Sequence, residues 1–222
     1  MTAAGPLVLA LDTAAGLSLG LTRAGAVLAR HVSEAPQAAD VALLPTVAAW
    51  AEIHGVPDRL VVGTGPGSFT GTRVGVVAAK TLAWAWAVPL VGVSSLAADA
   101  AAAGWPGAVV VATTELLRGE LYIGVYRCRA DGIDTVAADR AWRLGDVGEW
   151  AGGREAGGAM LVTGPLAQEA ALMEELGATP VPRAAVFRAG GLATLGRTAP
   201  PVDPLTLEPQ YLRPATRAAE RS

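Results

Sequence analysis

The chain has 222 residues, of which 52% are hydrophobic and 17% charged, and its formal net charge at pH 7 is −3. This length is enough for one large domain or two small lobes with real cores. The near balance of charge argues against a broad nucleic-acid-binding surface, and the single cysteine excludes an internal disulfide. Two histidines are too few for most histidine-rich metal sites, so we expect no metal.

The first half of the sequence predicts a meander of strands followed by alternating helices and strands. A short apolar run that ends at Asp12 predicts a buried strand, and two alternating segments joined at Gly25 predict an antiparallel hairpin. Asp40 is the predicted N-cap of the first helix. The predicted strands are residues 7–11, 17–22, 26–32, 60–63 and 90–93, and the predicted helices are residues 38–54, 69–87 and 96–103.

The second half begins again with strands that precede helices, after a turn-rich segment at residues 104–107. This echo of the first half indicates two related α/β lobes with mixed sheets. We expect a first lobe at residues 1–105 and a second at 106–222, with 184–222 a candidate to pack back on the first. The predicted strands are residues 108–112, 121–127 and 160–162, and the predicted helices are residues 166–176 and 186–195.

An uncharged stretch at residues 81–98 approaches the length of a membrane-spanning helix. Pro89 and Gly92 interrupt it, so a buried helix followed by a buried strand is the better interpretation. The start of the chain is apolar but lacks a basic segment, so we do not expect a signal peptide. We expect a soluble, cytoplasmic protein without membrane contact.

A glycine-rich loop lies between a predicted strand and the helix at residues 69–87. Glycines let a backbone approach a ligand closely, and a helix N-terminus presents free N–H groups to an anion. The loop lacks the lysine of a P-loop, and a tight turn with a capped helix explains it equally well. The candidate vestigial phosphate loop comprises Asp12, Thr13, Gly65, Pro66, Gly67, Ser68, Thr70 and Gly71.

The helix at residues 69–87 carries Trp84 and Trp86, which point to roughly opposite sides. Both are buried only if the helix is covered on two sides, by its own sheet and by the helix at residues 38–54 or a second protein. The alternative is a helix buried within its own chain. The candidate partner-interface residues are Val41, Leu44, Val47, Trp50, Arg73, Gly75, Ala79, Leu82, Trp84 and Trp86.

Several segments together resemble the TsaB (YeaZ) family. The most specific are residues 9–14, which read LALDTA, and residues 63–75, which read GTGPGSFTGTRVG. Residues 91–96, 118–122 and 209–213 match further segments of the family. The resemblance implies an α/β, actin-like (ASKHA, ribonuclease H-like) fold of two lobes with mixed sheets flanked by helices.

The same resemblance implies a non-catalytic partner of TsaD, working with the ATPase TsaE. The pair would transfer a threonylcarbamoyl group to the adenosine 3′ of the anticodon in tRNAs that read codons beginning with A. Relatives pair through helices of the first lobe, so we expect a heterodimer with TsaD and a homodimer when the chain is isolated. We expect no catalytic residue, no cofactor beyond weak nucleotide binding, and only indirect contact with tRNA.

The sequence departs from the family at three positions. Ala39 stands where the family has histidine, and Glu115 and Leu117 stand in place of aspartate and arginine at the start of the second lobe. A nucleotide-dependent phosphotransferase of the sugar-kinase type, with Asp12 in its phosphate site, is the alternative function. A glycoprotease-like peptidase is a third, although no nucleophile–base pair is visible.

Overall fold

The computed structural model describes residues 5–35, 37–116, 120–143 and 159–212. The first half forms β1 (Leu7–Asp12), β2 (Leu17–Arg23), β3 (Ala26–Ser33), α1 (Ala38–His54), β4 (Arg59–Gly63), α2 (Phe69–Trp86), β5 (Leu90–Val93) and α3 (Ser95–Ala103). The second half forms β6 (Val109–Leu116), β7 (Glu120–Cys128), β8 (Ile133–Arg143), β9 (Met160–Thr163), α4 (Ala170–Leu176), β10 (Thr179–Val181) and α5 (Arg188–Gly196). Short 3-10 helices lie at Pro165–Gln168 and Arg183–Ala185.

The strands form two five-stranded mixed sheets with one shared topology. The first has the order β3-β2-β1-β4-β5, with an antiparallel meander of β1, β2 and β3 and parallel pairing of β1, β4 and β5. The second has the order β10-β9-β6-β7-β8, again antiparallel on one side of the first strand and parallel on the other. The chain therefore has the two-lobed actin-like α/β fold that the sequence predicts.

Helices cover both faces of the first sheet, because its central strands are apolar on both sides. Leu9 and Leu11 of β1 pack in the core beneath α1 and α2. Val8 and Ala10, which alternate with them, pack beneath α3 and α5. Thus α5 follows the second sheet in sequence but packs on the first.

Three elements differ from the predictions. β8 was not predicted, because Ala137 and Asp139 have low strand propensity and bulges in its pairing with β7 break the alternation. β10 was also missed, since it is only three residues long and contains Pro180. The helix predicted at residues 166–176 is a 3-10 turn followed by α4, with Glu169 between them.

The predicted N-cap of the first helix is wrong. Gln37 occupies that position, with a positive φ of 63° and no side-chain cap, whereas Asp40 lies in the first turn of α1. A carboxylate in the first turn still interacts favourably with the helix dipole. In the part of the chain that the structure describes, no helix combines the length and the apolar character needed to cross a membrane.

Candidate functional site

The glycine-rich loop packs against the end of β1 in its own chain. The Ser68 N–H donates to the Ala14 carbonyl oxygen at 2.7 Å, and the Thr13 hydroxyl donates to the Gly71 carbonyl oxygen at 2.6 Å. A side chain at Gly67 or Gly71 would overlap backbone oxygens of the segment that follows β1. The glycines therefore allow the strand end and the helix start to touch.

Two more N–H groups of the loop and helix start have acceptors within the chain. The Gly65 N–H donates to the Ser95 hydroxyl at 3.1 Å, and the Gly71 N–H donates to the Ser68 hydroxyl, the N-cap of α2, at 3.2 Å. Pro66 is buried, while the hydroxyl-bearing residues Ser68 and Thr70 lie at the surface. The geometry favours the tight turn and capped helix over a phosphate loop.

Replacing Ser68 with alanine removes this cap, and we expect a loss of about 1 kcal/mol in the free energy of unfolding. Urea denaturation measures the change. Thr70→Ala, at the exposed second residue of α2, is the matched control and should shift the value by less than about 0.5 kcal/mol. Equal effects at both positions would contradict the capping role of Ser68.

The carboxylate of Asp12 lies fully buried at the end of β1. Its Oδ1 accepts the Ala14 N–H at 2.8 Å and a guanidinium N–H of Arg188 at 3.1 Å. Its Oδ2 accepts a short hydrogen bond from the hydroxyl of Ser95, the first residue of α3. Both carboxylate oxygens are thus engaged by groups of the same chain.

Arg188, the first residue of α5, links this carboxylate to a second one. Its Nε donates to Asp99 Oδ1 at 2.6 Å and its Nη2 donates to Asp99 Oδ2, so the pair is bidentate. Burial acts to lower the pKa of Arg188, but Asp99 and Asp12 outweigh it and raise that pKa above its ordinary value. The guanidinium is therefore permanently charged and neutralises buried carboxylates on β1 and α3.

This arrangement weighs against the placement of Asp12 in a phosphate site. A carboxylate that is already paired with a buried guanidinium has to lose that partner before it can bind a cation. Neither Arg188 nor Asp99 was predicted from the sequence as part of a site. One signal was available: each is the only charged residue in a short helix that is otherwise apolar or small, which requires a partner of opposite charge.

At the corresponding strand ends of the second lobe, the described residues carry hydroxyl groups. Thr113 is buried, and its hydroxyl donates to the Thr163 carbonyl oxygen at 2.6 Å. The side chain of Glu115 and the whole of Leu117, two of the departures from the family, lie outside the described residues. Within the described residues no three acidic, histidine or cysteine side chains approach closely enough to hold a metal ion.

A second polar cluster joins the start of α3 to the second sheet. The Ser94 hydroxyl donates to Asp139 Oδ2 at 2.6 Å, and the Tyr126 hydroxyl makes a short hydrogen bond to the same carboxylate. Burial, and then the neighbouring charge of Asp139, raises the pKa of Tyr126 well above its ordinary value. Tyr126 remains neutral at physiological pH and acts as a hydrogen-bond donor that fixes the helix.

The outer side of α1 and α2 is an apolar surface, which we call the helical face. Val41 and Val77 are 73% and 60% exposed, and Trp84 is 80% exposed. Leu44 and Arg73, two further candidate interface residues, are also exposed. Val77 was missed, although it lies one turn of helix after Arg73 on the same side.

Three predicted interface residues are instead part of the core. Val47 of α1 and Ala79 of α2 pack in the core of the first lobe. A side chain at Gly75 would overlap Thr13, which directly follows β1. They are buried because their side of each helix faces the sheet, so they are not available to a partner. The remaining three are half-buried and line the same core: Trp50, Leu82 and Trp86.

Comparison with known proteins places this geometry in a family. The family model described as "TsaD: tRNA N6-adenosine threonylcarbamoyltransferase" matches residues 27–182, which is more than half of the chain. The protein described as "tRNA threonylcarbamoyladenosine biosynthesis protein TsaB" from Bacillus subtilis (strain 168) is 32% identical over 144 residues, 63% of each chain. The protein of the same name from Escherichia coli (strain K12) is 36% identical over 134 residues, 57% of each chain. The chain thus spans less than two thirds of these relatives.

Two solved structures superpose on this chain over almost its whole length. A Pseudomonas aeruginosa protein described as similar to peptidase YEAZ superposes with a TM-score of 0.72 at 25% identity, covering 94% of this chain and 100% of that one. YeaZ from Pseudomonas aeruginosa superposes with a TM-score of 0.70 at 22% identity and shows the same fold, covering 93% and 100%. The chain therefore belongs to the family whose model is described as TsaD, and within it the chain is similar to the proteins named TsaB and YeaZ.

Proposed function

We propose that the chain is a non-catalytic subunit that pairs with a TsaD-type paralogue. The pair transfers a threonylcarbamoyl group to the adenosine 3′ of the anticodon in tRNAs that read codons beginning with A. The names of the two curated relatives support the pathway. The observation that carries the proposal is the helical face, an exposed apolar surface of the kind that a partner protein covers.

The composition of the helical face is that of an interface. Val41, Val77 and Trp84 leave apolar side chains in water, at a cost that burial against another protein removes. Tryptophan and arginine are the residue types most enriched among those that dominate binding energy, and α2 presents Trp84 and Arg73. Acidic residues are absent from α2, so the partner meets no negative charge on this helix.

We propose no catalytic activity for this chain because of the Asp12–Arg188–Asp99 network. The alternative phosphotransferase function would place Asp12 in the phosphate site, and here Arg188 holds that carboxylate in a buried ion pair. The paralogue would supply the catalytic groups. With a net charge of −3, the chain would reach tRNA through the paralogue rather than through its own surface.

Further parts of the proposal concern assembly and location. The apolar helical face would allow the isolated chain to form a homodimer, since a self-complementary patch pairs by two-fold symmetry. In the working complex a TsaE-type ATPase would join the heterodimer. We place the assembly in the cytoplasm, where its tRNA substrate is found.

Co-expression with the TsaD-type paralogue from the same genome tests the proposal. We expect a complex whose mass corresponds to one copy of each chain, with an interface above roughly 1,200 Å². Incubation of the chain alone with magnesium and ATP is the second arm, and we expect no steady turnover. Failure to form the complex would contradict the partner role, and steady turnover would contradict the absence of catalysis.

A further inference from the structure

The residues that follow α5 run along the edge of the first lobe. We call residues 202–212 the strap. The Val202 N–H donates to the Leu90 carbonyl oxygen at 2.8 Å, which covers the outer edge of β5. Leu207 packs on the first core in the space left by Gly92. The strap is therefore held in place by the sheet and is not a loose tail.

Two residues of α2 also hold the strap. Lys80, the only lysine of the chain, donates to the carbonyl oxygens of Leu205 and Leu207 at 3.3 and 3.1 Å. Arg73, seven residues earlier and on the same side of the helix, donates from Nε to the Tyr211 hydroxyl at 2.6 Å. The strap thus borders the exposed stripe of α2.

The guanidinium of Arg73 is fixed by two aromatic rings. It lies 3.9 Å above the centre of the Phe69 ring, and the Phe69 and Tyr211 rings are 5.2 Å apart. All three side chains are exposed. An arginine at a free surface samples many rotamers and loses this freedom when it binds a partner. Because the two rings already restrict Arg73, the entropy cost of binding is smaller.

The outer edge of this guanidinium is open. Nε is used by Tyr211, while Nη1 and Nη2 have no hydrogen-bond partner among the residues that the structure describes. α2 contains no acidic residue, and its N-terminus adds a partial positive charge close to Arg73. Two parallel donors held in one plane match a carboxylate, which accepts both.

We infer that the strap orients Arg73 to receive a carboxylate of the partner protein, so that Arg73 is the polar anchor of the helical face. Trp84 lies eleven residues further along the same stripe, about three helical turns, and is the apolar anchor. Tyr211 acts through Arg73 and is a positioning residue. The inference rests on the proposed function, because it takes the TsaD-type paralogue as the partner.

A protein carboxylate fits this surface better than a phosphate of tRNA. Binding of nucleic acid requires several cations, and Lys80, the other cation of α2, is already engaged by the strap. The stripe continues from Arg73 into Val77 and Trp84, which are apolar. One cation beside an apolar surface is the pattern of a protein interface.

The test compares variants of the full chain in titrations against the purified paralogue, at low and high salt. Arg73→Ala should weaken association by about 30-fold or more, because the partner's carboxylate is left buried and unpaired. Tyr211→Phe keeps the ring and removes the hydroxyl, and should weaken association about three- to tenfold. Arg140→Lys, at an exposed arginine that lies over Trp142 in the second sheet, is the matched control and should bind like the wild type.

The readouts separate orientation from a general effect on folding. We expect the thermal midpoints of Tyr211→Phe and wild type to agree, and we expect the affinity of Arg73→Ala to depend less on salt. Unchanged association of both variants, with the wild type still binding, would overturn the inference and leave the proposed function intact. Unchanged association with weaker tRNA retention would also overturn it and would identify a phosphate as the ligand. A wild type that does not bind the paralogue would contradict the proposed function itself.

Discussion

Replacing Arg188 with methionine will lower the free energy of unfolding by about 3–5 kcal/mol, because it leaves buried charges uncompensated. Asp12 and Asp99 are both buried, and both lose the guanidinium that neutralises them. Methionine keeps an apolar stem but not the volume of the guanidinium, so the loss at one pH combines the uncompensated charges with a small cavity. Urea denaturation at pH 8 measures the effect.

The dependence on pH identifies the cause of this loss. Burial raises the pKa of Asp99 in the folded state above the unfolded value of about 4, and loss of Arg188 removes the interaction that opposes this rise. A raised carboxyl pKa destabilises the fold progressively as pH rises, so the deficit of Arg188→Met should be smaller at pH 5 than at pH 8. Arg183→Ala, at an exposed arginine paired with Glu34, is the control and should cost less than about 1 kcal/mol at either pH. A deficit at Arg188 that is equally small would contradict the buried network.

Replacing Trp84 with alanine will weaken association with the paralogue by at least about 2 kcal/mol, or roughly 30-fold. The side chain is 80% exposed in the free chain, so its removal should leave the free energy of unfolding almost unchanged. Calorimetric titration gives the affinity, and urea denaturation confirms that the variant is folded.

Trp105→Ala is the matched control for this effect. Trp105 is 53% exposed but lies between α3 and β6, away from the helical face. We expect its removal to leave association unchanged. An affinity of Trp84→Ala equal to that of the control would show that the partner binds elsewhere, and the placement of the interface on α2 would then be wrong.

Much of the fold could be predicted because the central strands are continuous apolar runs. β1 and β4 are buried on both faces, and such runs, separated by glycine and by helical periodicity, indicate a sheet covered by helices. β8 could not be predicted in this way. It is an edge strand, and its pairing with β7, rather than its own residues, determines its conformation.

The helical face could be predicted only in part, because α1 has two apolar sides and the first sheet covers one of them. Leu43 and Val47 are buried, whereas Val41 and Leu44 are exposed, and periodicity does not distinguish the two pairs. Trp84 is exposed and Trp86 is half-buried for the same reason. Only the position of the sheet decides which tryptophan faces water.

The buried network was beyond the reach of sequence patterns because its members are far apart in the chain. Arg188 is 176 residues from Asp12 and 89 residues from Asp99. The glycine-rich loop shows the opposite difficulty. Its sequence is compatible with an anion site and with close packing, and only the contact with Thr13 and Ala14 distinguishes them.

Oxidative footprinting of tryptophan in the complex tests the central claim most directly. The account predicts that Trp84 is modified readily in the free chain and is protected once the TsaD-type paralogue is bound, while Trp105 reacts equally in both states. Trp84 that stays as reactive in the complex as in the free chain would show that the helical face is not the surface that meets the partner.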